Sequence, residues 1–84
     1  MRIFRITVKE YSYDCFTGFV VAASSIPEAL ECVYKLTALK DEDSGKPYAI
    51  PYYMRSSNLN IENLGEFISE LKVPYIIFTG YNNA

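Results

Sequence analysis

Eighty-four residues, half of them apolar and 21% charged, predict one globular domain spanning residues 1–84 and exclude a disordered chain. A formal net charge of −2 supplies neither the basic footprint of a nucleic-acid binder nor the carboxylate density of a nucleic-acid mimic. Met1-Arg2-Ile3-Phe4-Arg5 has no signal-peptide character, no apolar run reaches membrane length, and Cys15 and Cys32 are too few for a disulfide scaffold. The expectation is a protein with free thiols in a host-cell cytoplasm.

Residues Arg2 to Tyr13 read as a long strand, with Phe4, Ile6 and Val8 on one side and Ile3, Arg5, Thr7, Lys9, Tyr11 and Tyr13 on the other. Asp14 and Cys15 offer a turn. Phe16 to Ala23 is a second strand with Gly18 as a candidate bulge, close enough to the first to form a hairpin. Ser25 then caps a helix. Glu28, three residues on, completes a capping box, and Pro27 occupies the first turn, where its missing N–H does no harm. Ile26, Ala29, Leu30, Val33 and Leu36 form the apolar stripe, Glu31 and Lys35 form an i,i+4 pair, and the helix is expected to end near Lys40.

Asp41 to Pro47 reads as a polar loop. Tyr48 to Met54 has strand character, which Pro51 demotes to an edge or a loop, and Arg55 to Asn58 connects onward. Ile61, Leu64, Phe67, Ile68 and Leu71 recur at helical spacing behind Asn58 or Asn60, predicting a second helix. Gly65 weakens it by about 1 kcal/mol. The alternative is a strand to Leu64 followed by a short helix. Pro74 to Thr79 reads as a central strand because Tyr75, Ile76, Ile77 and Phe78 are all apolar, and Gly80 to Ala84 as a polar tail that frays. The order β-β-α-(β)-α-β predicts an α+β two-layer sandwich: a mainly antiparallel sheet of three or four strands under one long and one shorter helix. Its expected core is Phe4, Ile6, Val8, Val20, Ile26, Leu30, Val33 and Ile77.

The chain has no histidine, which removes the commonest general base and metal ligand. Two cysteines alone do not make a structural zinc site, and the four glycines are too dispersed for a phosphate loop. Glu10 and Asp14 have no recognisable partner carboxylate and read as solvated. The expectation is a binding protein without enzymatic activity, cofactor or metal.

Eight tyrosines and five phenylalanines exceed what so small a core can take. Tyr joins a rigid apolar ring to a polar tip, which suits an interface, although it also suits strands. Three segments carry candidate recognition chemistry: Lys9 to Asp14, Tyr48 to Asn58, and the tail Thr79 to Ala84. Within them Tyr11, Tyr13, Tyr52, Tyr53 and Arg55 are the predicted binding residues. The rings are surplus to the Phe, Ile and Val positions of the strands, and a lone Arg beside aromatic rings suits a carboxylate, a phosphate or a ring face. The competing reading packs Tyr52 or Tyr53 inward as part of a loop over the core.

Thr7-Val8-Lys9-Glu10-Tyr11-Ser12-Tyr13-Asp14, then Phe19 to Ser24 with the capped helix, and Ile76 to Ala84 resemble short accessory proteins of phages and mobile elements of Gram-positive and gut bacteria. The resemblance covers both ends and leaves residues 40 to 72 unmatched. It implies an anti-defence role: inhibition of a bacterial defence system by binding a host protein, or sequestration of a small nucleotide immune signal as a sponge. No functional residue carries over from it. A structural or assembly module is the third reading. Marginal size with surplus apolar surface predicts a homo-oligomer, through the strand edge at Tyr48 to Met54 or through Tyr11 and Tyr13.

Overall fold

The alternation of the first strand is realised in the computed structural model, which describes residues 1–68 and 70–82. In β1 (Arg2–Val8) Phe4, Ile6 and Val8 are buried while Arg5 and Thr7 are exposed. β2 (Cys15–Ala23) returns antiparallel, setting Phe4 opposite Val21 and Ile6 opposite Phe19. The turn falls at Tyr13 and Asp14, where Asp14 takes φ 57°, a left-handed conformation that Asp tolerates better than most residues. The strand therefore stops at Val8, and Tyr11 and Tyr13 belong to the connection.

The helix, α1 (Ile26–Thr37), starts as its capping box requires: the Glu28 N–H donates to Ser25 Oγ at 3.4 Å and the Ser24 N–H to Glu28 Oε1 at 3.2 Å. It ends three residues short of Lys40. Thr37 turns its hydroxyl back onto the Val33 carbonyl at 2.8 Å, and Ala38 is already extended. The next residues form a small hairpin, β3 (Leu39–Lys40) with β4 (Pro47–Ala49), around a turn in which Gly45 has φ 70°. The strand character of Tyr48 to Met54 ends at Ala49, and two 3-10 turns follow, Tyr52–Met54 and Ser56–Asn58.

Helical spacing misleads after Asn58. Residues Leu59–Glu66 are a strand, β5, paired along the free edge of β1 from Val8↔Leu59 to Arg2↔Glu66. This pairing satisfies the backbone and buries Leu59 against the core, which an isolated helix containing Gly65 (φ 124°) does not achieve. No helix follows it among the described residues; Ser69 lies outside them. The last strand, β6 (Tyr75–Asn82), pairs with β2 and closes the order β5-β1-β2-β6. It is an edge strand rather than a central one, and the expected tail is strand through Asn82. Asn83 and Ala84 lie outside the described residues.

Among the described residues the result is an α+β fold with a four-stranded antiparallel sheet, the small β3–β4 hairpin and one α-helix. Ala29 and Val33 of α1 meet Phe4, Ile6, Val8, Phe19, Val21, Met54 and Leu59 in the core. Three expected core residues, Ile26, Val20 and Ile77, are corrected. Ile26, like Leu36 of the predicted stripe, flanks the buried stripe and is 44% exposed, whereas Leu30 is half-buried and packs against the core. Val20 points to the opposite sheet face from Phe19 and Val21, as strand alternation demands. Ile77 is 45% exposed, at a register shift in the β2–β6 ladder.

Candidate binding site

The five predicted residues divide by what their neighbours do with them. Asn58, 3% exposed, organises their end of the molecule. Its Nδ2 donates to the Glu10 carbonyl at 2.8 Å and the Tyr53 carbonyl at 2.7 Å, and its Oδ1 accepts from the Glu10 N–H at 3.0 Å. Its own carbonyl accepts from the Lys9 N–H at 2.8 Å. The segment leaving β1 is thereby fastened to the 3-10 turns, and a buried amide is satisfied at both ends.

Tyr53 is an anchor. Its ring packs on the core and its hydroxyl accepts the Phe16 N–H at 3.3 Å. Burial raises its phenol pKa, against the opposing effect of that hydrogen bond. Phe16 in turn lies 5.0 Å, edge-on, from Tyr81. Tyr52 points the other way and is 80% exposed, with the Arg55 guanidinium 4.0 Å above its ring and Arg55 Nη1 donating to its carbonyl at 3.1 Å. Tyr11 and Tyr13 are exposed on the β1–β2 connection. The structure thus brings Tyr52 and Arg55 together and ties the Tyr11 segment to Tyr53. The inward reading holds for Tyr53, and Tyr52 is the surplus ring.

A concavity lies beside this end, and one of its walls is the helix α1. A groove of about 590 Å³ separates α1 from the Pro47–Ile50 segment, and Pro27, Leu30, Tyr34, Tyr48 and Ile50 give it an apolar lining. Its charged members, Glu31 and Lys35, are 3.2 Å apart and neutralise each other. A smaller hollow, lined by Lys40, Asp41, Glu42 and Asp43, shares Tyr48 with the groove and sets an acidic flank beside it. The signal for the helix wall was present in the sequence. Pro27, Leu30, Glu31, Tyr34, Lys35 and Ala38 recur at three- and four-residue spacing, a second helical stripe beside the buried one. Ile50 leads directly to Tyr52 and Arg55, so the groove wall and the exposed stack belong to one stretch of chain.

Among the described residues no three His, Cys, Asp or Glu side chains gather as a metal site. Cys15 and Cys32 are free thiols, and burial raises the pKa of Cys32, opposed by neighbouring Lys35. Among the described residues no helix is long and apolar enough to cross a membrane. No protein-family model matches this chain, and neither the curated proteins nor the solved structures contain a match to it.

Proposed function

We propose that this chain is a non-enzymatic binding module that receives an apolar segment of a partner protein in the groove between α1 and Pro47–Ile50. In this reading Tyr52 and Arg55 extend the contact, and Tyr11 and Tyr13 form its outlying part. The groove's lining carries the argument. It is apolar, open along its length and flanked by two exposed residues, Tyr48 at 71% and Ile50 at 50%, that no core contact requires. The chemistry favours a protein over a nucleotide. The one cation in the lining, Lys35, is held by Glu31, and the acidic run Asp41-Glu42-Asp43 lies alongside, so a phosphate would meet repulsion. A sponge for a small nucleotide is therefore the second choice. The resemblance to phage accessory proteins makes a bacterial defence protein the first partner to try, and the cytoplasm of a host cell the place to look.

Native mass spectrometry after purification from defence-carrying bacterial cells tests both readings, with the double variant Tyr48→Glu, Ile50→Glu as the comparison. Both residues are exposed, so the variant keeps its fold. The expected result is one protein partner on the wild type and at least about a tenfold loss, 1.4 kcal/mol, on the variant. A bound nucleotide, or a partner retained by the variant, overturns the proposal.

A further inference from the structure

The sheet face turned away from α1 is closed at one end, where Ala22 is fully buried beside Tyr75, whose ring lies 6.5 Å from that of Phe67, and is more open around the two rows that follow. Cross-strand partners share a face. The registers therefore place Glu62, Arg5, Val20 and Phe78 in one row across β5, β1, β2 and β6. Two residues along, the next row is Asn60, Thr7, Gly18 and Gly80. Arg5 and Glu62 form a bidentate pair, both contacts at 2.9 Å. Phe78 is 64% exposed and stands at the side of a hollow of about 180 Å³ that Gly18 and Gly80 floor. Both glycines are tightly enclosed: a Cβ at Gly80 would lie 2.6 Å from Thr17 Oγ1, and one at Gly18 would lie 3.1 Å from the Ile6 carbonyl. The face thus carries a protruding ring and, one row away on the same strand, a shallow depression that the Thr17 hydroxyl overhangs at Gly80.

That arrangement is self-complementary. We propose that two copies of this chain pack these faces together about a two-fold axis that runs across the strands, between the two rows. The rotation exchanges the rows and leaves the strand order unchanged. Phe78 of each copy then meets Gly80 of the other, Val20 meets Gly18, Arg5 meets Thr7 and Glu62 meets Asn60. Each projecting side chain faces a small or hydrogen-bonding one. No like charges are opposed, and the contact is isologous, as a two-fold interface must be. The apolar β2–β6 half forms the centre and the β5–β1 half a polar rim, the usual anatomy of an interface. The strands of the two sheets run antiparallel, within the range of aligned sheet packing. Four strands at the usual spacing and seven to nine residues of β1 and β2 give a footprint of about 19 by 25 Å. That is about 475 Å² per partner, below the ~800 Å² that stable complexes bury and in the size class of a weak, reversible dimer. A net charge of −2 opposes the pairing only weakly. The α1 grooves stay on the outer sides, so the dimer would present two of them.

Sedimentation analysis of the wild-type chain at tens of micromolar, with Phe78→Asp, Thr7→Arg and Tyr48→Glu, tests the arrangement, circular dichroism reporting the fold of each variant. The expected results are a wild-type dimer, a folded monomer for Phe78→Asp, and a dimer at least about tenfold weaker for Thr7→Arg, which brings two cations together. Tyr48→Glu, on the groove, stays dimeric. A monomeric wild type, a Phe78→Asp dimer, or loss of the dimer in Tyr48→Glu overturns the proposal. Should Phe78→Asp unfold, Thr7→Arg decides alone: unchanged dimerisation overturns the proposed register. These readouts concern self-association only, so they fail or succeed independently of the groove's partner.

Discussion

On one face of the sheet Phe4, Ile6, Phe19 and Val21 are 0–2% exposed, sealed under α1 and the 3-10 turns. One residue along the same strands, Arg5 is exposed and Val20 only half-covered, and Phe78 of β6 is 64% exposed. The backbone ladders are common to both faces, so the difference lies in the side chains and in what covers them. The covered face holds the chain folded. The open face contributes little to folding and is free to be spent on contact. Around Arg5, Val20 and Phe78 a substitution therefore reads out differently from one at its buried neighbour, and the contrast can be pressed experimentally.

The largest effect belongs to the covered face. Phe19→Ala removes a fully buried ring and is expected to cost about 3–5 kcal/mol in chemical denaturation, enough to endanger a domain of this size. A cost below 1 kcal/mol would mean that α1 does not seal this face as described. Next comes the polar clamp at the end of the sheet. Asn58→Ala leaves the Glu10 N–H and the Tyr53 carbonyl without their side-chain partner and is expected to cost about 1–3 kcal/mol. Hydrogen exchange should show the loss first at the Glu10 amide.

Tyr53→Phe is smaller, about 1 kcal/mol at neutral pH, because it deletes one hydrogen bond and keeps the ring. Its pH dependence has a definite sign. The folded chain holds the phenol above its ordinary value near 10, so the unfolded chain releases that proton first. The contribution is whole below about pH 10 and fades as pH rises toward the folded pKa. The stability gap between wild type and Tyr53→Phe, measured by denaturation at pH 8 and pH 11, should shrink at the higher value. Smallest of all is Phe78→Ser, expected to change the stability of the monomer, measured at a concentration low enough to keep the chain unassociated, by no more than about 0.5 kcal/mol because its ring is largely outside the fold. A loss near that of Phe19→Ala would erase the distinction between the faces.

Local rules carried the first half of the chain. Phe4, Ile6 and Val8 alternate against exposed Arg5 and Thr7, and Ser25 with Glu28 announces a helix that begins where the capping box says it must. The second half turned on partners distant in sequence. Ile61, Leu64, Phe67 and Leu71 fit a helical stripe, yet residues 59–66 lie along β1, and pairing with a preformed edge outweighs a weak helical pattern. The Tyr75–Phe78 run looked central because it is apolar throughout. It is an edge strand whose Phe78 is exposed on the face turned away from α1, so apolarity alone does not separate an edge from a centre. The same limit applied to the groove. Tyr48 belongs to a segment with recognition character, whereas Leu30 reads as core, against which it does pack, and nothing in its spacing marks Tyr34 as a binding residue. Only the fold shows that α1 presents both of them opposite β4.

The sheet order has a further consequence for how the chain is made. β1 sits between β2 and β5, and Arg5 reaches its cross-strand partner Glu62 57 residues later. At about 5–20 residues per second of synthesis, one flank of β1 waits for several seconds after β2 has closed the other. During that interval the nascent hairpin offers a free edge rich in β-branched and aromatic residues, the kind that recruits neighbouring chains. Arg2 and Arg5 interrupt that edge with charge at three-residue spacing. Charge at such positions disfavours edge-to-edge mispairing until β5 arrives.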